Sequence, residues 1–316
     1  MRVAIIGGTG FVGSYVTSAL VDAGHEPSLL VRAGSESRVS RPEQVQVTTG
    51  DIASTDALRS TIEGSAAVIY NVGILREFPS RGITFEAMQY EGLVNTVQAA
   101  RAAGVRRLLL MSANGVKVPG TPYQETKFRA EMYAKDSGLD VTVLRPSVIF
   151  GDPQGRMEFA TQLFEDMVKP PVPAVGFFAG FSPAKGAIVM SPVHIEDVAS
   201  AFVAALENDE TIGQTYPLGG PEVLTWPDLL RRIGSATGRK KVILPMPIAL
   251  MRVAATLLDW LPFFPVTRDQ LTMLEEGNTA DPAVLRQLTG REPQGFDTDA
   301  LRYLDNDGPG GLAETS

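Results

Sequence analysis

The chain has 316 residues, 44% hydrophobic and 20% charged, with 31 glycines and 22 prolines, and a mean hydropathy of +0.04; this excludes a disordered, collagen-like or disulfide-stapled protein. With 28 basic against 36 acidic residues the net charge is -8, so no basic footprint supports a nucleic-acid partner. There is no cysteine, and His25 and His194 are the only histidines, which removes thiol chemistry and leaves no metal centre to expect.

Apolar, β-branched runs at Arg2 to Ile6, Pro27 to Val31, Val45 to Thr48, Ala67 to Tyr70, Arg107 to Ser112 and Val141 to Leu144 predict strands. Helical patterns lie between them at Phe11 to Ala23, Asp56 to Ile62, Phe85 to Ala103 and Tyr123 to Ser137. Strands alternating with helices imply an α/β fold, a doubly wound parallel sheet covered on both faces. Val3 to Ile6 leads straight into glycines and lacks a secretory signal's longer apolar core and cleavage site, so a cytoplasmic start is expected.

After Gly151 the rhythm breaks. Residues 170 to 192 are rich in Pro, Gly, Phe and Ala; His194 to Asn208 then reads as a helix and Thr215 to Leu218 as a short strand. Thr225, with Pro227 and Asp228 behind it, marks a helix start running to about Ala236 and ending at Gly238. Helices are further predicted at Ile248 to Trp260, Arg268 to Glu276 and Pro282 to Leu288, and a disordered tail at Asp305 to Ser316. The most apolar window, Pro245 to Val266, is interrupted by Arg252, Asp259 and several prolines, which excludes a spanning helix and leaves contact with a membrane surface open.

Gly7-Gly8-Thr9-Gly10-Phe11-Val12-Gly13 follows the first strand and opens the first helix. Side-chain-free positions there let the backbone turn tightly and approach a pyrophosphate, whose charge meets the helix N-terminus. The second strand ends in Val31-Arg32, where an NAD-specific site would carry an acidic residue; arginine, with Ser35 or Arg38 nearby, favours the 2′-phosphate of NADP(H), with NAD(H) as the alternative. Asp51-Ile52 is placed either to meet the adenine edge or to cap the following turn. Tyr123 and Lys127 stand four apart, hence on one helix face, where an ammonium favours a phenolate able to move a proton.

These motifs resemble an extended or atypical short-chain dehydrogenase/reductase. The glycine loop, Asp51-Ile52, Asn71-Val72-Gly73, Leu110-Met111-Ser112, Tyr123 with Lys127, Arg145-Pro146-Ser147-Val148-Ile149-Phe150-Gly151 and Val193-His194-Ile195-Glu196-Asp197-Val198-Ala199 fall in that family's order over residues 1 to 290. Val72 to Glu77, Leu218 to Glu222 and Thr267 to Leu271 are similar to the branch of the nucleotide-binding accessory subunit of respiratory complex I and of bacterial NAD(P)-binding epimerase/dehydratase-like proteins. The resemblance implies that Gly7, Thr9, Gly10, Phe11, Val12, Gly13 and Arg32 hold the adenosine diphosphate half. Asp51, Ile52, Val72, Gly73, Lys127, Pro146 and Val148 complete the cofactor cleft. It makes Tyr123 the proton donor or acceptor, Lys127 its partner and Ser112 the group that polarises a carbonyl. Ala113 and Asn114 stand where many relatives place the working hydroxyl, and Gln89 stands where many have asparagine. His194, before Ile195-Glu196-Asp197, reads as a helix-start residue rather than a base.

The expected organisation is a Rossmann-type domain over 1 to 150, rejoined by about 193 to 208, with a smaller α+β substrate lobe over 151 to 192 and 209 to 304. The expected function is hydride transfer with NADP(H) to or from a carbonyl or alcohol on an apolar, lipid-like small molecule. A non-catalytic NADP(H)-binding subunit or assembly factor of a respiratory or quinone-related complex is the first alternative, and a sugar-nucleotide epimerase/dehydratase the second. Phe177, Phe178, Phe181, Val175 and Met190, with the single cation Lys185, favour the apolar substrate. They either present an apolar surface to a lipid-like substrate or membrane-bound partner, making the cytoplasmic protein peripheral at the membrane, or they close the lobe's core.

Overall fold

A strand buried on both faces reads as a short apolar run without alternation, and the inner strands of the central sheet are such runs. The structure, a computed structural model, describes residues 1–180, 182–252 and 268–306. Seven strands form one parallel sheet: β1 (Arg2–Ile6), β2 (Glu26–Val31), β3 (Gln46–Thr49), β4 (Ala67–Tyr70), β5 (Arg107–Met111), β6 (Asp140–Pro146) and β11 (Thr215–Leu218), in the order β11-β6-β5-β4-β1-β2-β3. Val3, Ala4, Ile5 and Ile6 in β1 and Val68 and Ile69 in β4 are fully buried, with Ile6 in register with Leu30 and Tyr70.

One face of the sheet is covered by α2 (Thr55–Ile62), α3 (Gly92–Ala102) and α4 (Pro122–Lys135), whose Leu58, Ile62, Leu93, Val97, Ala130 and Ala134 meet Ala4, Ile6, Val68 and Leu108. On α1 (Phe11–Asp22) and α6 (Ile195–Glu207), which pack together, Val16, Leu20, Val198 and Phe202 are buried. The expected single helix from Phe85 to Ala103 is instead a π-helical turn, Glu86–Glu91, leading into α3. Tyr70 accounts for part of this, since its hydroxyl donates to Met88 O at 2.5 Å.

The chain divides into two compact units, the first comprising 1–146, 195–218 and 283–291 and the second 147–194, 219–282 and 292 onward. In the second unit, β7 (Ile149–Phe150) pairs β10 (Val193–His194), β9 (Val189–Met190) pairs β12 (Leu224–Thr225), and β8 (Ala174–Phe178) pairs β13 (Ile243–Pro247). The helices α5 (Phe159–Leu163), α7 (Trp226–Ala236), α8 (Arg268–Glu276) and α10 (Tyr303–Asn306) lie in this unit, and most of α9 (Pro282–Thr289) lies in the first. A capping box, Thr225 with Asp228, starts α7.

Of the two alternatives for the aromatic cluster in 170–192, Phe177, Phe178 and Met190 take the second and close the unit's core. Phe177, Phe178 and Met190 are buried, Phe177 against Trp226 with ring centroids 5.6 Å apart, because this stretch forms β8 and β9 in the unit's core. His194 closes β10, beside Phe150, and immediately precedes the first residue of α6. Residues 248–252 are helical; the remainder of the helix expected to Trp260, Phe181 and the tail from residue 307 lie outside the described residues. Among the described residues no helix is long and apolar enough to cross a membrane.

Candidate cofactor and catalytic site

The carboxyl ends of parallel strands form one edge of a doubly wound sheet, where ligands bind. The expected first-unit residues emerge from that edge: the glycine loop from β1, Arg32 from β2, Asp51 and Ile52 beyond β3, Val72 and Gly73 beyond β4, Ser112 from β5, and Pro146 at the end of β6. Val148 belongs to the second unit, half-buried against its core.

Gly7 has φ +95°, and a Cβ there would stand 2.7 Å from Asn71 O; at Gly13 it would stand 2.1 Å from Gly7 O. The turn is closed by Gly10 N–H donating to Gly7 O at 3.2 Å and Ser14 N–H to Gly10 O at 3.0 Å. Gly10 caps α1 without a side chain, so the amides of Phe11, Val12 and Gly13, beside half-buried Thr9, have no intrahelical acceptor and face outward as an anion site. This cradle, closed to any side chain, fits a dinucleotide's pyrophosphate. Arg32 is exposed, and its guanidinium has no partner among the described residues. Asp51 Oδ1 accepts from Ala53 N–H at 2.9 Å, so it caps its turn.

A capping box in which Thr121 N–H donates to Gln124 Oε1 at 2.8 Å, with Pro122 in the first turn, fixes the start of α4 and the direction of Tyr123 and Lys127. Phe85 holds the Tyr123 ring edge-to-face at 5.7 Å. Lys127 is buried; its Nζ donates to Met111 O at 3.3 Å and lies 5.9 Å from the Tyr123 ring centroid. Val72, Gln89, Ser112 and Lys127 line one cavity of about 10 Å³, room for a single water. Ser112 Oγ and Gln89 Oε1 are buried beside it without a partner, as expected of groups that await a ligand or water.

The ammonium does not pull the phenol down as the sequence suggested: burial dominates and pushes Tyr123 up. Burial also pushes Lys127 down to about 8, with Glu131 pulling the other way. Glu131, one turn further along α4, is fully buried and accepts from Arg145 Nε at 2.8 Å and Nη2 at 2.5 Å. Sequence reasoning missed Glu131; its place four residues beyond Lys127 is the one signal for it, and that its partner is Arg145 depends on β6.

Lys127 gives a pH prediction. Its folded pKa of about 8 lies below the unfolded 10.5, so the charged form is penalised in the fold. The penalty is full below pH 8, shrinks as pH climbs from 8 to 10.5 and is absent above. Lys127→Met should therefore melt above wild type at neutral pH, with the gap closing over that window. A gap that does not depend on pH in thermal melts would contradict this.

A family model described as NAD(P)H-binding matches residues 7–170. The chain is 23% identical over 301 residues to the photosystem II assembly factor Ycf39 of Synechocystis, covering 93% of this chain and 87% of that one. It is 27% identical over 264 residues to ceramide reductase of Caulobacter vibrioides, covering 81% and 77%. Subunit 9 of the mitochondrial NADH dehydrogenase [ubiquinone] 1 alpha subcomplex of Arabidopsis thaliana is 26% identical, covering 87% and 68%. A nucleoside-diphosphate-sugar epimerase from Staphylococcus aureus shares the fold at TM-score 0.71 and 18% identity, covering 96% of this chain and all of that one.

Proposed function

The chain belongs to the NAD(P)H-binding family, and starting there we propose that it is an NADP(H)-dependent reductase or dehydrogenase acting on a carbonyl or alcohol of an apolar small molecule. What carries this reading is Lys127, which lines one cavity with the unpartnered Ser112 hydroxyl and lies 5.9 Å from the Tyr123 ring centroid, in the unit that carries the glycine cradle. When bound, the cofactor supplies or takes a hydride. The Ser112 hydroxyl donates to the substrate oxygen, Tyr123 gives that oxygen its proton, and Lys127 stabilises the phenolate left behind. Reduction adds one hydride to the carbonyl carbon and one proton to its oxygen.

Exposed Leu75 and Phe78, on the segment between β4 and Phe85, favour an apolar substrate, and the Caulobacter relative is named for reducing a ceramide. A second reading, a non-catalytic NADP(H)-binding subunit or assembly factor, is favoured by Ala113 and Asn114 beside Ser112 and by the raised Tyr123 phenol. Purified protein offered NADPH and a panel of apolar aldehydes and ketones separates the two. Oxidation of the nucleotide supports the reductase; tight retention without turnover supports the subunit.

Arg32 should confer preference for the 2′-phosphate. Titration calorimetry should show NADPH binding weakened about ten- to a hundredfold by Arg32→Ala, the scale of one charge-assisted contact, with NADH affinity unchanged. Equal wild-type affinity for both cofactors would end the claim.

A further inference from the structure

The second unit carries a feature that the reaction at Tyr123 does not use. Arg239, Lys240 and Lys241 run directly into the edge strand β13. The Arg239 guanidinium lies 5.7 Å from the Phe164 ring centroid and Lys169 Nζ lies 5.9 Å from it. Lys241 Nζ donates to Pro170 O and, at 2.8 Å, to Val172 O. Three cations, Arg239, Lys169 and Lys241, are thus gathered around Phe164 and the 170–172 loop, and exposed Lys240 lies between two of them in the chain. Glu165 pairs with Lys169 at 2.7 Å, and Asp166 is exposed nearby; among the described residues no carboxylate pairs with Arg239, Lys240 or Lys241.

The same place exposes aliphatic side chains. Val242 is 66% exposed, Leu244 52% and Val172 60%. Val242 stands immediately before β13 and Leu244 within it, and Val242 O accepts from Ala174 N–H at 2.9 Å, which ties this segment to the start of β8, two residues beyond Val172. We infer that this face docks on an anionic lipid surface, the aliphatic residues entering the headgroup boundary while the cations meet lipid phosphates. In a chain of net charge -8, a local cluster of cations beside exposed Val and Leu is complementary to an anionic bilayer. It suits a second copy of this chain poorly, because a two-fold contact would set Arg239 and Lys240 against themselves.

The test is co-sedimentation of the full chain with vesicles of phosphatidylglycerol and phosphatidylcholine in equal parts, and with phosphatidylcholine alone. Wild type should sediment with the anionic vesicles only. Lys240→Glu should weaken binding by at least about fivefold, roughly the effect of one surface charge, and added salt should do likewise. Val242→Ser with Leu244→Ser should weaken it further while melting temperature and NADPH affinity stay at wild-type values. If that double variant unfolds, Lys240→Glu decides. No sedimentation with anionic vesicles, sedimentation indifferent to Lys240→Glu, or retention on heparin without vesicle binding would each overturn the inference. None of these outcomes bears on the reaction proposed above.

Discussion

Tyr123→Phe is expected to bind NADPH within about twofold of wild type and to lose about 10²- to 10⁴-fold in reductase turnover, the usual contribution of a positioned proton donor. The phenyl ring keeps its edge-to-face contact with Phe85, so packing is conserved while the transferable proton is removed. Because burial holds the phenol in its protonated form, the wild-type hydroxyl is an acid in waiting rather than a preformed base. Steady-state rates with NADPH and an accepted carbonyl, set beside calorimetric affinities, check both halves. Full turnover in Tyr123→Phe would move the proton donor elsewhere.

The second large effect is on stability. Arg145→Met should cost about 3–5 kcal/mol, because it leaves the Glu131 carboxylate buried without its bidentate partner. Glu131 is 0% exposed, and the Arg145 side chain keeps 25% of its surface, so the carboxylate is the member that cannot find water. Replacing both, Arg145→Met with Glu131→Leu, should recover most of the loss, since a packed apolar pair of similar volume carries no desolvation penalty. Urea midpoints of the two variants and wild type read this directly. A double variant as unstable as Arg145→Met would show that packing, not the orphaned charge, sets the cost.

Much of the first unit is legible in the sequence because its determinants are local. The runs in β1, β4 and β5 are apolar on both faces, the glycine loop announces its own backbone, and Thr225 marks the start of α7. What escaped is decided by partners far along the chain. Gly176-Phe177-Phe178, set among prolines and glycines, carries no strand signal and leaves surface or core open; it is a core strand because Ile243–Pro247 pairs with it and Phe177 packs against Trp226. The π-helical turn has no sequence marker of its own. Gly92 is its trace, since a Cβ there would stand 2.4 Å from the Tyr70 hydroxyl and 2.6 Å from Ile52 Cδ1. At the site, Tyr123 and Lys127 are visible by type and spacing and Ser112 through the family resemblance, whereas the raised phenol and the Glu131–Arg145 pair depend on burial, which spacing does not encode.

The discontinuity of the first unit bears on how the chain is made. Six of its seven strands have emerged by Pro146, yet the edge of β6 stays open until Thr215–Leu218 arrives to pair with it, and α1 waits for α6. Throughout synthesis of residues 147–194 the nascent chain therefore carries an unpaired sheet edge and an uncovered apolar helix face, the features that promote misassembly. Closing so distant a strand brings a large loop-closure entropy and a high contact order, both of which slow folding. A product truncated before residue 215 lacks the strand that seals the sheet, so fragments carrying the nucleotide-binding half alone are poor starting material for binding studies, and the intact chain is the unit to express.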